Sequence, residues 1–214
     1  MYGRMGTILR VDLSQGEIVK EPLPEEVTSQ FVGGRGLNVK FLYDELKPGV
    51  DPLGPDNKII VGNGPCNGTL VPGSTRFDVT FKSPLTGFLG DSNCGGTLGV
   101  TLKYAGYDML ILQGKARRHS YLWIDDDKVE LRSAEHLWGK TTKETRRMLE
   151  LELGDPDVSI LCIGPAGEKL VRFACLVADL GRASGRSGGG AVFGSKNLKA
   201  IAVRGKKGVK VANP

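Results

Sequence analysis

The same order of predicted elements occurs twice along this chain, and this internal repeat narrows the folds that it can adopt. Each copy begins with a β-hairpin and a helix and continues with a buried strand that ends in Gly-Pro, at Gly64-Pro65 and at Gly164-Pro165. Another strand, a glycine-rich loop and a closing strand follow. We assign the copies to about residues 1–115 and 120–206. The sequence therefore predicts an α+β, β-rich domain built from two repeats that a pseudo-twofold axis relates.

Apolar periodicity and turn residues locate the individual elements. Residues 7–20 alternate about a glycine-containing turn, and Asp125-Asp126-Asp127 are predicted to form the tip of the second hairpin rather than a metal site. Thr141 and Glu144 form a capping box, which predicts the start of a helix, and Pro24 predicts the start of another. The other predicted strands cover residues 58–62, 76–81, 109–112, 121–124, 128–131, 158–163, 171–177 and 198–206.

Each copy carries one glycine-rich loop, at residues 91–96 and 181–194, and the second contains six glycines and two arginines. Glycine lets a ligand approach bare peptide groups, and arginine presents forked donors to phosphate or carboxylate. A simple turn between strands is the alternative interpretation. Because Gly188-Gly189 falls where Gly95-Gly96 fell, we expect the two loops to face one ligand, or a pair of like ligands, across the axis.

Composition and motif spacing exclude several classes of function. The net charge of +5 favours anionic ligands, but the basic residues are interspersed with acids and only 7% of residues are aromatic, so nucleic-acid binding is not supported. Four cysteines without a C-x-x-C pair predict reduced thiols and a cytoplasmic location, and no apolar run is long enough to predict a membrane span. With two histidines far from any cysteine pair, the chain predicts no iron–sulfur or metal site built from its own side chains.

Two common phosphate-binding fingerprints are also excluded. The segment 189–196 resembles a P-loop, but its serine and lysine are exchanged and a strand, not a helix, is predicted after it. Neither 33–36 nor 185–188 has the Rossmann spacing G-x-G-x-x-G. We interpret Cys94 as a small, half-buried spacer rather than a nucleophile.

Five segments together form a specific combination. They are residues 181–203, Gly33-Gly34-Arg35-Gly36-Leu37, Lys82-Ser83-Pro84-Leu85-Thr86-Gly87, Ser92-Asn93-Cys94-Gly95-Gly96 and Ala105-Gly106-Tyr107-Asp108. With these segments the chain resembles, over essentially its whole length, the N-terminal domain of the tungsten-containing aldehyde ferredoxin oxidoreductases. In that family the domain is a β-rich base with pseudo-twofold symmetry on which a bis-pterin tungsten cofactor rests. A magnesium ion there bridges the two pterin phosphates.

The resemblance implies seven cofactor contacts in this chain and no catalytic residue. They are Arg76, Asn93, Gly95, Arg182, Ala183, Gly185 and Arg186. The backbone carbonyls of Asn93 and Ala183 match the magnesium ligands, which suits a hard cation that prefers oxygen.

The implied activity is oxidation of an aldehyde to a carboxylic acid at tungsten or molybdenum, with electrons passed to ferredoxin. The family's [4Fe–4S] ligands and catalytic acid and histidine lie in later domains, so this chain by itself is expected to be inactive. Residues 1–205 would form the cofactor-binding base, and residues 206–214 a linker to downstream domains or to another subunit. A homo-oligomer is compatible with the sequence. The alternative function is a non-catalytic pterin- or phosphate-binding scaffold subunit that depends on a separate catalytic chain.

Overall fold

The computed structural model describes residues 2–179 and 181–213 and contains two halves with the same order of strands. The first half comprises β1 (Thr7–Asp12), β2 (Glu17–Pro22), α1 (Glu25–Gln30), α2 (Arg35–Glu45), β3 (Ile59–Asn63), β4 (Phe77–Lys82), β5 (Leu89–Cys94), α3 (Leu98–Tyr104) and β6 (Met109–Gln113). The second half comprises β7 (Ser120–Asp125), β8 (Lys128–Ser133), a 3₁₀ helix (Glu135–Leu137), α4 (Thr142–Leu153), β9 (Ser159–Cys162), α5 (Pro165–Glu168), β10 (Leu176–Ala178), β11 (Arg182–Ser184), α6 (Gly189–Ser195) and β12 (Leu198–Arg204).

Each half forms one six-stranded mixed sheet, and the two sheets have the same topology. The strand orders are β2-β1-β6-β3-β4-β5 and β8-β7-β12-β9-β10-β11, so each strand of the second sheet occupies the place of its counterpart in the first. The pairs β1–β6 and β7–β12 are parallel, and the other neighbouring strands are antiparallel. The predicted α+β fold of two repeats is confirmed.

The pairing registers align the two repeats residue by residue. One rung across the first sheet joins Ile8, Met109, Gly62, Asp78 and Asn93. The corresponding rung of the second sheet joins Tyr121, Ala200, Cys162, Val177 and Ala183. Asn93 and Ala183, the two predicted magnesium ligands, are therefore equivalent positions of the two repeats.

The central strands are buried at nearly every position, and they build three layers of core. Leu9 and Val61 of the first sheet pack with Leu122 and Val203 of the second in the largest cluster, which lies between the sheets. On the outer face of the first sheet, residues such as Ile8 pack against α1 and α2, and on the outer face of the second the strands pack against α4. Because successive strand residues point to opposite faces, a strand that is apolar at every position contributes to the core on both sides of its sheet.

The hairpin and helix predictions of both halves are confirmed, including the capping box at Thr141 and Glu144. Asp126, with a φ of 51°, turns the chain between β7 and β8, and Asp127 pairs with Lys20 and Lys207. The triple-aspartate segment is thus a hairpin turn, as predicted. None of the helices in the described part of the chain is long and apolar enough to cross a membrane.

The strand predicted at 171–177 is wrong, because regular pairing covers only β10. The residues before it lie against the start of α6, where Ala174 O accepts a hydrogen bond from Gly190 N and Arg172 O approaches Gly188 so closely that a Cβ there would lie 2.0 Å away. Carbonyls used by a neighbouring helix are not available for a sheet ladder.

The two glycine loops are shorter than predicted. β5 continues to Cys94, and residues 182–184 and 189–195 belong to β11 and α6, so the second loop is confined to residues 185–188. The rung that joins Asn93 and Ala183 also makes Gly185, not Gly188, the counterpart of Gly95.

Residues 206–213 contain no helix or strand, and backbone hydrogen bonds fasten them to the body of the domain. Lys210 O accepts from Gly3 N at 2.7 Å, and Lys207 N donates to Tyr104 O at 2.8 Å. The ends of the predicted domain ranges, Met1 and Pro214, lie outside the described residues. The division into a domain and a linker stays a prediction.

Candidate cofactor-binding site

The edge strands β5 and β11 lie beside each other and join the two halves. Ser184 Oγ donates to Ser92 O at 3.4 Å, and Arg186 N donates to Ser92 Oγ at 3.3 Å. We call the line of contact between β5 and β11 the seam. Asn93 and Ala183 each lie next to a residue of this contact, so both are located at the seam. An edge strand leaves part of its backbone without a strand partner, so carbonyl and amide groups along the seam are available to a ligand.

The seam brings together the residues that the sequence predicted as cofactor contacts. Arg76 directly precedes β4, Asn93 lies in β5 and Gly95 follows it, Arg182 and Ala183 lie in β11, and Gly185 and Arg186 follow that strand. All seven are exposed or half-buried, as ligand contacts must be before the ligand binds.

The Arg76 guanidinium is oriented by its neighbours although it is exposed. Its Nη1 donates to Asn93 Oδ1 at 2.6 Å. Asn93 Nδ2 donates in turn to Asp78 Oδ1 at 3.1 Å and to Phe77 O at 3.3 Å. A donor that is already held in place loses less conformational entropy when it binds an anion.

A cleft of about 400 Å³ opens beside Arg76. Its wall includes Asn93, the Gly64-Pro65 turn and the Gly33-Gly34-Arg35 segment at the start of α2. Gly34 has a φ of 49°, and Arg35 Nε donates to Asp91 Oδ2 at 2.8 Å, with about three-fifths of its side chain exposed. The helix start and the two arginines make this end of the cleft favourable for an anion.

Asp179 connects the two halves beside the seam, and no motif in the sequence identifies it. Its Oδ2 accepts from Thr97 N at 2.5 Å and from Leu98 N at 3.3 Å, so a carboxylate of the second half satisfies the start of α3 in the first. Gly96, with a φ of 111°, leaves the space for this contact, because a Cβ there would lie 2.3 Å from Asp179 Oδ2.

Lys103 is a second residue that sequence reasoning missed. Its fully buried Nζ donates to Gly64 O at 2.7 Å and to Pro65 O at 3.1 Å, and so it supports the turn that forms one wall of the cleft. Burial lowers the pKa of Lys103 to about 8. Only a lysine between Leu102 and Tyr104 in a short helix marks this position in the sequence, which is no specific signal.

Cys94 does not add a nucleophile to the site. Burial, followed by the charge of Asp179, raises the pKa of Cys94 to about 11, so its thiol stays protonated at neutral pH. All four cysteines are free, and the described residues contain no cluster of three or more His, Cys, Asp or Glu side chains suited to a metal.

Comparison with known proteins identifies the family. The family model described as aldehyde ferredoxin oxidoreductase, N-terminal domain, matches residues 8–205. The chain belongs to the aldehyde ferredoxin oxidoreductase family. Tungsten-containing aldehyde ferredoxin oxidoreductases of Pyrococcus furiosus and Pyrococcus horikoshii are 49% and 50% identical to it over 213 residues, which are 100% of this chain and 35% of each relative. The resemblance seen in the sequence motifs is confirmed.

Relatives with other names share the same domain. The WOR-like subunit of an aliphatic sulfonate oxidoreductase of Pyrococcus furiosus is 37% identical and covers 96% of this chain and 35% of its own length. A solved structure, the active site complex BamBC of benzoyl coenzyme A reductase with 1,5-dienoyl-CoA, superposes with a TM-score of 0.95 at 40% identity. That match covers 98% of this chain and 32% of the other, so this member of the aldehyde ferredoxin oxidoreductase family spans about a third of the length of its relatives.

Proposed function

We propose that this chain is the cofactor-binding N-terminal domain of an oxidoreductase that holds a bis-pterin tungsten or molybdenum cofactor. The whole enzyme would oxidise aldehydes to carboxylic acids and pass the electrons to ferredoxin through a [4Fe–4S] cluster held by domains or a subunit beyond this chain. Relatives named tungsten-containing aldehyde ferredoxin oxidoreductases, at 48–50% identity, support the aldehyde class over that of the sulfonate relative at 37%.

One observation carries this proposal: Asn93 and Ala183 occupy equivalent rungs of two repeats whose edge strands meet. A ligand with two like phosphates and a cation between them fits such a pair of positions. Backbone carbonyls are the hard oxygen ligands that magnesium prefers. Gly95 follows Asn93 by two residues, and Gly185 follows Ala183 by two residues. These glycines let phosphate approach the backbone amides.

The arginines of the seam would bind the phosphate charge. Arg76 acts from the first repeat with its guanidinium already oriented, and Arg182 and Arg186 act from the second with exposed side chains. When bound, the tungsten or molybdenum cofactor supplies the redox chemistry. The residues of this chain hold and orient it, and we assign none of them a catalytic role.

A non-catalytic pterin- or phosphate-binding scaffold subunit is the second candidate. The names of a WOR-like subunit and of a BamBC complex support its dependence on a separate chain, because both describe assemblies of several chains. Under either proposal the chain works with further domains or subunits in the cytoplasm, without nucleic acid or membrane as a partner.

The test is cofactor content of the full-length protein, produced with whatever is encoded directly downstream. We expect tungsten or molybdenum and pterin, and ferredoxin-linked aldehyde oxidation if the protein is the enzyme. Arg76→Ala and Arg182→Ala should each lower the metal and pterin content without lowering the melting temperature. Arg147→Ala, which removes an exposed arginine of α4, should change neither.

Wild-type protein that contains no tungsten, molybdenum or pterin would refute the first candidate and the pterin-binding form of the second. Cofactor that is present without oxidoreductase activity in the complete assembly would favour the scaffold. Unchanged metal content in both arginine variants would refute the assignment of these residues.

A further inference from the structure

Asp78 lies directly behind the oriented arginine of the cleft. It belongs to β4, and only 13% of its side chain is exposed. Its Oδ1 accepts from Asn93 Nδ2 at 3.1 Å and lies 3.8 Å from Arg35 Nη2. A continuous path of contacts therefore runs from Asp78 through the Asn93 amide to Arg76.

The donors and acceptors of this path permit one arrangement of the amide. A carboxylate only accepts hydrogen bonds and a guanidinium only donates them. Asn93 therefore directs its NH₂ group at Asp78 Oδ1, the shorter bond, and at Phe77 O, and its oxygen at Arg76. The reversed amide would put its oxygen against the carboxylate and its NH₂ against the guanidinium, and it would lose both bonds.

We propose that Asp78 is a positioning residue, which fixes the amide of Asn93 and through it orients Arg76 toward the bound anion. The inference rests on the proposed function, because it takes Arg76 as a contact of the cofactor phosphate. Asp78 also lines the cleft, and we assign it no contact with the cofactor.

The second repeat shows that the sheet does not need this network. At the rung equivalent to Asp78 and Asn93 it has Val177 and Ala183, and the same six-stranded topology forms. A carboxylate beside an anion site also repels the anion. The Arg35 guanidinium balances part of the charge of Asp78. Its bond to Asn93 is the contact that links Asp78 to Arg76.

The two explanations of Asp78 predict opposite results for Asp78→Val, a variant that copies the second repeat. Removal of a repelling charge alone would strengthen cofactor binding. Loss of the positioning bond weakens it, and we expect the cofactor to leave roughly tenfold faster, since one charge-assisted hydrogen bond of Arg76 is no longer oriented. Asp78→Asn keeps an oxygen that accepts from Asn93 Nδ2 and should restore retention to within about twofold of the wild type.

The experiment measures tungsten or molybdenum and pterin retained by the full-length protein during dialysis at raised salt. Asp91→Asn is the matched control, because it removes a carboxylate that binds Arg35 but makes no contact with Asn93, and we expect no faster release. The double variant Asp78→Val/Arg76→Ala should release the cofactor no faster than Arg76→Ala alone, because Asp78 acts through Arg76.

Slower or unchanged release from Asp78→Val, or losses that add in the double variant, would overturn the positioning role. If Asp78→Val lowers the melting temperature, Asp78→Ala replaces it, and it must show the same loss and the same non-additivity. Wild-type protein without cofactor, or an Arg76→Ala variant with normal retention, would instead refute the proposed function, and the inference with it.

Discussion

Substitution of Gly96 by alanine tests the seam between the halves directly. Gly96 has a φ of 111°, and a Cβ at this position would lie 2.3 Å from Asp179 Oδ2. The same oxygen accepts hydrogen bonds from the backbone N–H groups of Thr97 and Leu98. The methyl group must therefore displace the carboxylate that joins the second half to α3.

Two costs combine in this substitution. A side chain held at an unfavourable positive φ costs about 1–3 kcal/mol, and loss of a helix-capping oxygen costs about 0.5–2 kcal/mol. We expect Gly96→Ala to lower the free energy of unfolding by roughly 2–4 kcal/mol. The neighbouring Gly95→Ala meets no atom within 4 Å and keeps a negative φ, so we expect a change within about 0.5 kcal/mol.

Urea unfolding of the two variants and the wild type measures this difference. The variant Gly96→Ala/Asp179→Ala supplies the control, because removal of the carboxylate also removes the clash, and the combined loss should be smaller than the sum. Equal effects at Gly95 and Gly96, or strictly additive losses in the double variant, would refute the steric account of the seam.

Two further predictions concern buried lysines. Burial lowers the pKa of Lys103 from 10.5 in the unfolded chain to about 8 in the folded protein. Between these pH values the unfolded chain binds one more proton, so the contribution of Lys103 to the free energy of unfolding rises with pH. In unfolding experiments over that pH range, the stability advantage of the wild type over Lys103→Met should therefore grow. Glu168→Leu leaves the fully buried Lys199 without its carboxylate and should lower the free energy of unfolding by about 3–5 kcal/mol. The double variant Glu168→Leu/Lys199→Met should recover most of that stability. An equal loss of stability in both variants would contradict this account.

The repeat and most of its elements could be predicted because local periodicity encodes them. The two hairpins, the capped helix α4 and the Gly-Pro ends of β3 and β9 depend on residues close in the chain. Met109 and Ala200 occupy equivalent rungs, and the strands that contain them have matching apolar patterns.

The errors occurred where distant segments decide the local structure. The segment before β10 has the composition of a strand, but the start of α6 uses its carbonyls. Asp179 contacts Thr97 across 82 residues, and Lys103 contacts Gly64 across 39, so no local pattern marks either residue. The cofactor residues came from a family resemblance rather than from spacing, because carbonyl ligands leave no side-chain signature.

The meeting of β5 and β11 has a consequence for solubility. Each is the last strand of its sheet, and exposed edges of this kind recruit strands from other molecules. Here the two edges contact each other through serine hydroxyls instead of a ladder, and β11 is only three residues long. Each edge strand thus hinders the other from pairing with a strand of another molecule. The backbone groups between the two edges remain accessible to a small anion.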